Sequence, residues 1–170
     1  MGILLWLLSA AVLFLGQVVF PTPGFWHGVR PDLLGLFVIF WGFRRGIGGG
    51  IAAGIVAGLF QDSVGTLFLF HTVMLTLAGA GAGLARDKVV DFSQSAMPFV
   101  GTAFSAALRA AELLALLIIR VPAPSHPLAI IFLQAGVNLL AALALYPFTL
   151  ALERKIAPPS LEFGARRLLN

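Results

Sequence analysis

The basic residues of this chain fall almost entirely into alternate gaps between apolar runs, and few folds accommodate that pattern. Six runs can be numbered from the N-terminus, at about 3–20, 32–43, 46–60, 67–85, 96–119 and 128–152. The even gaps and the C-terminal segment hold Arg44, Arg45, Arg86, Lys88, Arg154, Lys155, Arg166 and Arg167, against only Arg30 and Arg120 in the odd gaps, with Arg109 inside the fifth run. Cytoplasmic loops of membrane proteins are enriched in Lys and Arg. The bias therefore predicts an even number of crossings with both termini in the cytoplasm.

A soluble fold is excluded by composition, because 59% of the residues are hydrophobic and 11% charged, where charged residues alone make up about a quarter of an ordinary soluble domain. The expected fold class is an all-α integral membrane protein, a six-helix transmembrane bundle. It comprises one transmembrane helical domain over 1–156 and a short cytoplasmic tail over 157–170. The net charge of +4 does not point to nucleic acid, since the cations sit beside apolar ends and form no stripe with interleaved aromatics. They read as topology determinants and anionic-lipid contacts. The lack of cysteine removes disulfides, thiolate metal sites and a cysteine nucleophile. No cofactor or metal is expected.

The first run has small residues at Ser9, Ala10 and Ala11 but no Lys or Arg ahead of it, so it reads as an uncleaved span rather than a secretory signal. Runs two and three are short, with room for roughly 18 and 23 Å of helix against about 30 Å of hydrocarbon. A tilted pair, a locally thinned bilayer or a re-entrant hairpin would each accommodate them. Two crossings are preferred, because Arg44 and Arg45 at a buried hairpin tip would be costly.

Run three carries Gly46, Gly50, Gly54 and Gly58, one every four residues. In lipid such a ribbon lets two backbones approach closely. The expected use is a tight intramolecular contact, with an interface to another protein as the alternative. A phosphate loop is excluded, because no Gly-Lys-Ser/Thr ending follows Gly50.

Polar residues within the runs cluster by depth. Gln17, Asp32, Asp62, His71, Glu112 and Gln134 fall in the outer third, and Arg109 and Asn138 lie near the midplane, counting about 1.5 Å per residue. Ionisable groups in hydrocarbon face a bundle interior or a wet cavity. The expectation is a cavity open to the outside, lined by spans one, two, four, five and six. Arg109 and Glu112 are spaced to pair on one helix, and Gln134 and Asn138 would complete their network, either as glue between spans five and six or as the floor of a site. Asp32 follows Pro31 at a helix start, where it would cap. Asp62 ends a helix, where a carboxylate opposes the dipole, so a structural role is harder to assign to it. Together the two resemble an acid–base pair. His71 lacks a second histidine at ligand spacing. His27 and His126 read as interfacial, and Trp6 and Trp26 as aromatic-belt residues.

The stretch Arg30-Pro31-Asp32-Leu33-Leu34, the turn Arg44-Arg45-Gly46, the glycine ribbon, Gly58-Leu59-Phe60-Gln61-Asp62 and the small-residue helix ending Gly83-Leu84-Ala85-Arg86 together resemble MreD, the rod shape-determining membrane protein family of bacteria. The resemblance covers about a third of the chain. It implies a non-enzymatic multi-pass subunit of the elongation (rod) complex in the bacterial cytoplasmic membrane. It also implies partnership with an MreC-like single-span periplasmic protein, a RodA–PBP2-type synthase and MreB filaments, and a bundle similar to the substrate-binding subunits of energy-coupling factor transporters. Asp32 and Asp62 are the site positions it carries over. One departure is Leu69, two residues before His71, at a position where the family often has glycine. The alternative from a different class is a vitamin-binding transporter subunit. An intramembrane enzyme would have only Asp32 and Asp62 to work with.

Overall fold

The computed structural model describes residues 2–19, 29–64, 69–88, 96–118 and 127–156. Among them there is no strand. Five helices follow one another: α1 (Gly2–Val19), α2 (Leu33–Asp62), α3 (Phe70–Lys88), α4 (Met97–Ile118) and α5 (Pro127–Ile156). Three of them, α2, α4 and α5, are long and apolar enough to cross a membrane, and α1 contributes a shorter apolar helix.

Runs two and three, expected as separate spans with Arg44 and Arg45 in a loop between them, are instead parts of α2. There is no loop, and both arginines are helical. The helix breaks at Gly46 alone, with φ 75° and ψ −171°, a region essentially reserved for glycine. A Cβ built on Gly50 would lie 3.1 Å from the Gly42 Cα, whereas eight residues of continuous helix would separate the two by about 12 Å. The chain therefore doubles back at Gly46, and segments 33–45 and 47–62 run antiparallel.

The two arms pack differently because their sequences differ. Residues 33–43 are apolar on every side, and Leu34, Leu36, Phe37, Val38, Ile39 and Phe40 are each completely buried, as expected of a helix with no polar face. It forms the axis of the bundle. The second arm presents its glycine ribbon to α3. Side chains at Gly50, Gly54 and Gly58 would run into the backbone of Gly79, of Leu75 and Thr76, and of Thr72 respectively. Only hydrogen at these Cα atoms permits so close an approach. The ribbon is thus filled by this chain's own α3, and that face is not free for a partner.

The other helices complete the wall. α1 buries Trp6 and Ala10 and exposes Leu4, Leu8, Val12, Leu15 and Val19, so its outward stripe suits lipid. Trp6, expected in an interfacial belt, is instead a core residue at 8% exposure, packed on Phe37 and Trp41 at ring-centroid distances of 5.5 and 5.8 Å. Trp26, His27, His126, Arg120 and the 157–170 tail lie outside the described residues.

Candidate functional site: a polar cavity over a buried helix start

A helix start inside an apolar bundle leaves N–H groups that water cannot reach, so side chains must satisfy them. At the start of α2 three elements do so. The Asp32 carboxylate accepts from Gly35 N at 2.9 Å, Gln17 Oε1 of α1 accepts from Leu34 N at 3.2 Å, and Asn138 Oδ1 of α5 accepts from Asp32 N at 2.8 Å. Asn138 is fixed in turn. Its amide donates to Ser105 Oγ of α4 at 3.0 Å, and its oxygen also accepts from Gln134 Nε2 at 3.0 Å. Gln134 Nε2 donates to the Arg30 carbonyl as well. The capping role expected for Asp32 is realised, and Gln17, Gln134 and Asn138 serve the same helix start.

Asp62 solves the same problem for α3. Its Oδ1 accepts from His71 N at 3.0 Å and lies 2.9 Å from His71 Nδ1, while Oδ2 accepts from Thr72 N at 3.0 Å and from the Thr72 hydroxyl at 2.7 Å. The reading of Asp62 as less easily structural is corrected. Its carboxylate does sit at the wrong end of its own helix, but it faces the N-terminus of the next one, where negative charge is favoured. The resemblance of Asp32 and Asp62 to an acid–base pair goes no further, because each carboxylate is committed to a separate helix start. His71 is likewise held by Asp62, and no group of three His, Cys, Asp or Glu side chains suited to a metal occurs among the described residues.

Above these caps lies a cavity of about 290 Å³. Gln17, Arg30, Asp32, His71, Arg109, Glu112 and Gln134 line it, with Gln61 and the apolar Phe14, Val18 and Val64. Of the eight polar positions singled out by depth in the sequence, six reach this wall. Asn138 lies behind it beneath Asp32, and Asp62 is bonded to His71. Gln61, just past the third run, brings the end of the second arm of α2 into the lining, which was expected from the other five spans only. Arg109 and Glu112 pair at 3.0 Å. The bonds of Gln134 and Asn138 run to the α2 start and to Ser105, so the anticipated four-residue network is two separate sets.

Several contributors were not anticipated. Arg30 had been counted only as a loop charge. Ser105 had a usable signal, since Ser105, Arg109 and Glu112 follow a four-then-three spacing along one face of α4. Thr72 adjoins His71 and had none. Chemically, the wall offers two cations and two carboxylates around neutral amides, a surface that can hold a polar or zwitterionic group. The nearby hydroxyls are engaged: Thr72 donates to Asp62, and Ser105 to the Thr102 carbonyl.

Compared with known proteins, the chain matches no family model, no curated protein and no solved structure.

Proposed function

We propose that this chain is a non-enzymatic, MreD-like membrane subunit of the bacterial elongation complex, a scaffold that positions partner proteins directing peptidoglycan synthesis and cell shape. In this reading it crosses the cytoplasmic membrane six times, the arms of α2 counting separately, with both termini in the cytoplasm and the cavity open to the periplasm. Its partners would be an MreC-like single-span protein, a RodA–PBP2-type synthase and, on the inner face, MreB filaments.

The observation that carries the reading is that the residues of the family resemblance form one framework. Asp32 caps the axial arm, Gly46 makes the reversal, the ribbon seats α3, and Asp62 caps α3. Such a framework holds a cavity wall still, and binding to it need not order that wall further. Since the ribbon is already filled, partner contact falls to the cavity rim and to the lipid-facing stripes.

The alternative, a vitamin-binding transporter subunit, draws on the same cavity. Ligand pockets generally run from about 300 to 1,000 Å³, so a volume of about 290 Å³ lies at the small end of that range and accommodates a partner's side chains or a small vitamin alike. The deciding experiment is mass spectrometry of what copurifies with tagged protein after mild detergent extraction from its native membrane. A single-span periplasmic protein or a polysaccharide synthase is expected. Paired ATPases with a coupling subunit and a bound vitamin would replace the scaffold reading.

A further inference from the structure

The end of the bundle opposite the cavity is built around two arginines that share one carboxylate. Arg44 Nε lies 2.6 Å from Glu153 Oε2, whereas Arg45 Nε lies 3.7 Å from Oε1, beyond hydrogen-bond reach. The Nε and Nη2 of Arg45 are shielded and have no hydrogen-bond partner. Its guanidinium rests over the Trp41 ring at 5.4 Å, so it is held in place while sharing the charge of Glu153 with Arg44. Acceptors are scarce throughout this end. The buried Tyr146 hydroxyl, within electrostatic reach of Arg44 and Glu153, has no partner, and neither does the Trp6 indole N–H packed on Trp41.

Further cations surround the pair. Arg154 and Lys155 are exposed on the last turn of α5. Arg86 is exposed one turn beyond Gly83, which packs on the Gly46 reversal. Among the described residues the two guanidinium groups have one carboxylate between them; the excess positive charge is expensive to hold at the edge of a membrane, and a phosphate would offset it.

We propose that Arg44 and Arg45, fixed at the Gly46 reversal, form a binding site for the phosphate of an anionic phospholipid. The exposed parts of the Arg44 and Arg45 side chains, which are 37% and 30% exposed, would meet the phosphate, Trp41 would fix the plane of Arg45, and Glu153 would hold Arg44 alongside. Arg86, Arg154 and Lys155 would add attraction at longer range. The site does not depend on the scaffold reading, because it requires only that this end meet a leaflet surface.

The test is native mass spectrometry of the full-length protein in dodecyl maltoside, titrated separately with phosphatidylglycerol, phosphatidylcholine and inorganic phosphate. The wild type is expected to retain phosphatidylglycerol in preference to phosphatidylcholine. The double variant R44Q/R45Q should lose roughly tenfold in apparent affinity, while R154Q/K155Q, which removes the same charge, should lose about threefold or less. E153Q, which frees both arginines, should bind phosphatidylglycerol at least as well as wild type. No headgroup preference in the wild type would overturn the proposal without reference to any variant. Equal losses in the two double variants would overturn it by showing only a diffuse basic surface. Binding of inorganic phosphate as strong as that of phosphatidylglycerol would make this a free-anion site and overturn the lipid assignment.

Discussion

The two ends of the bundle handle charge in opposite ways. At the cavity end, Asp32 and Asp62 are spent on backbone N–H groups at the starts of α2 and α3. At the other end, Arg44 and Arg45 share Glu153, and Arg45 keeps donors without partners. The first arrangement resembles a structural joint, in which polar groups are satisfied locally and in several directions. The second is an ion cluster with an excess of one sign, which leaves it responsive to whatever anion approaches. Carboxylates that cap buried backbone should matter greatly to stability and little to salt, and half-buried arginines in contact with solvent the reverse.

The sharpest break of this contrast comes from between the ends, at the ribbon that joins them. Gly50→Val would drive its side chain into the Gly79 backbone, and no rotamer relieves a clash with main chain. The expected outcome is loss of the folded protein, a cost of more than about 3 kcal/mol, read as absent membrane accumulation. Asp62→Ala comes next. It removes a carboxylate with four hydrogen-bond contacts to His71 and Thr72, leaving two partly buried N–H groups unmet, and should cost about 2–3 kcal/mol. Thermal unfolding in detergent would show it, and the loss should be the same at low and high salt. A loss that fades with salt would mean that Asp62 acts as a charge and not as a cap.

These joints were only partly readable in the sequence. The apolar runs and the ribbon predict helices and close packing, because both depend on local pattern. A turn at Arg44-Arg45-Gly46 was legible from the break between runs two and three, but not that Gly46 alone makes it, since a single glycine inside a glycine-rich run gives no sign of which residue takes the positive φ. The depth clustering of polar residues gathered the side chains of the cavity, because depth follows from counting along each run. The partnerships were not readable. Asp62 caps a helix that begins eight residues later, and Asn138 bonds Asp32 across 106 positions, contacts that arise only from the way the helices are stacked.

Asn138→Leu probes that stacking with an isosteric side chain. It leaves the Asp32 N–H and the Ser105 hydroxyl short of a partner in a buried position, so a loss of about 1–3 kcal/mol is expected, again insensitive to salt. At the opposite end, Glu153→Gln should cost no more than about 1 kcal/mol, because Arg44 is about a third exposed and solvent screens the pair. That small effect should diminish in high salt. If Glu153→Gln instead proved as destabilising as Asp62→Ala, the ion cluster would be a structural joint too, and the contrast between the ends would fail.

The smallest expected effect on stability separates glue from site. Arg109 pairs with Glu112 at 3.0 Å on the cavity wall, and the side chains are 38% and 12% exposed. Arg109→Ala leaves Glu112 with an open route to water, and the pair makes no hydrogen bond to the α2 capping set. Thermal stability should therefore fall by less than about 1 kcal/mol. If the cavity is where a partner is held, the same substitution should sharply reduce what copurifies, since it removes one of the two cations lining that wall. A variant that unfolds early and still captures its partners would make Arg109 a tie between α4 and its neighbours and move the partner contact off the cavity. A variant that is stable and captures nothing would place that contact within reach of its guanidinium.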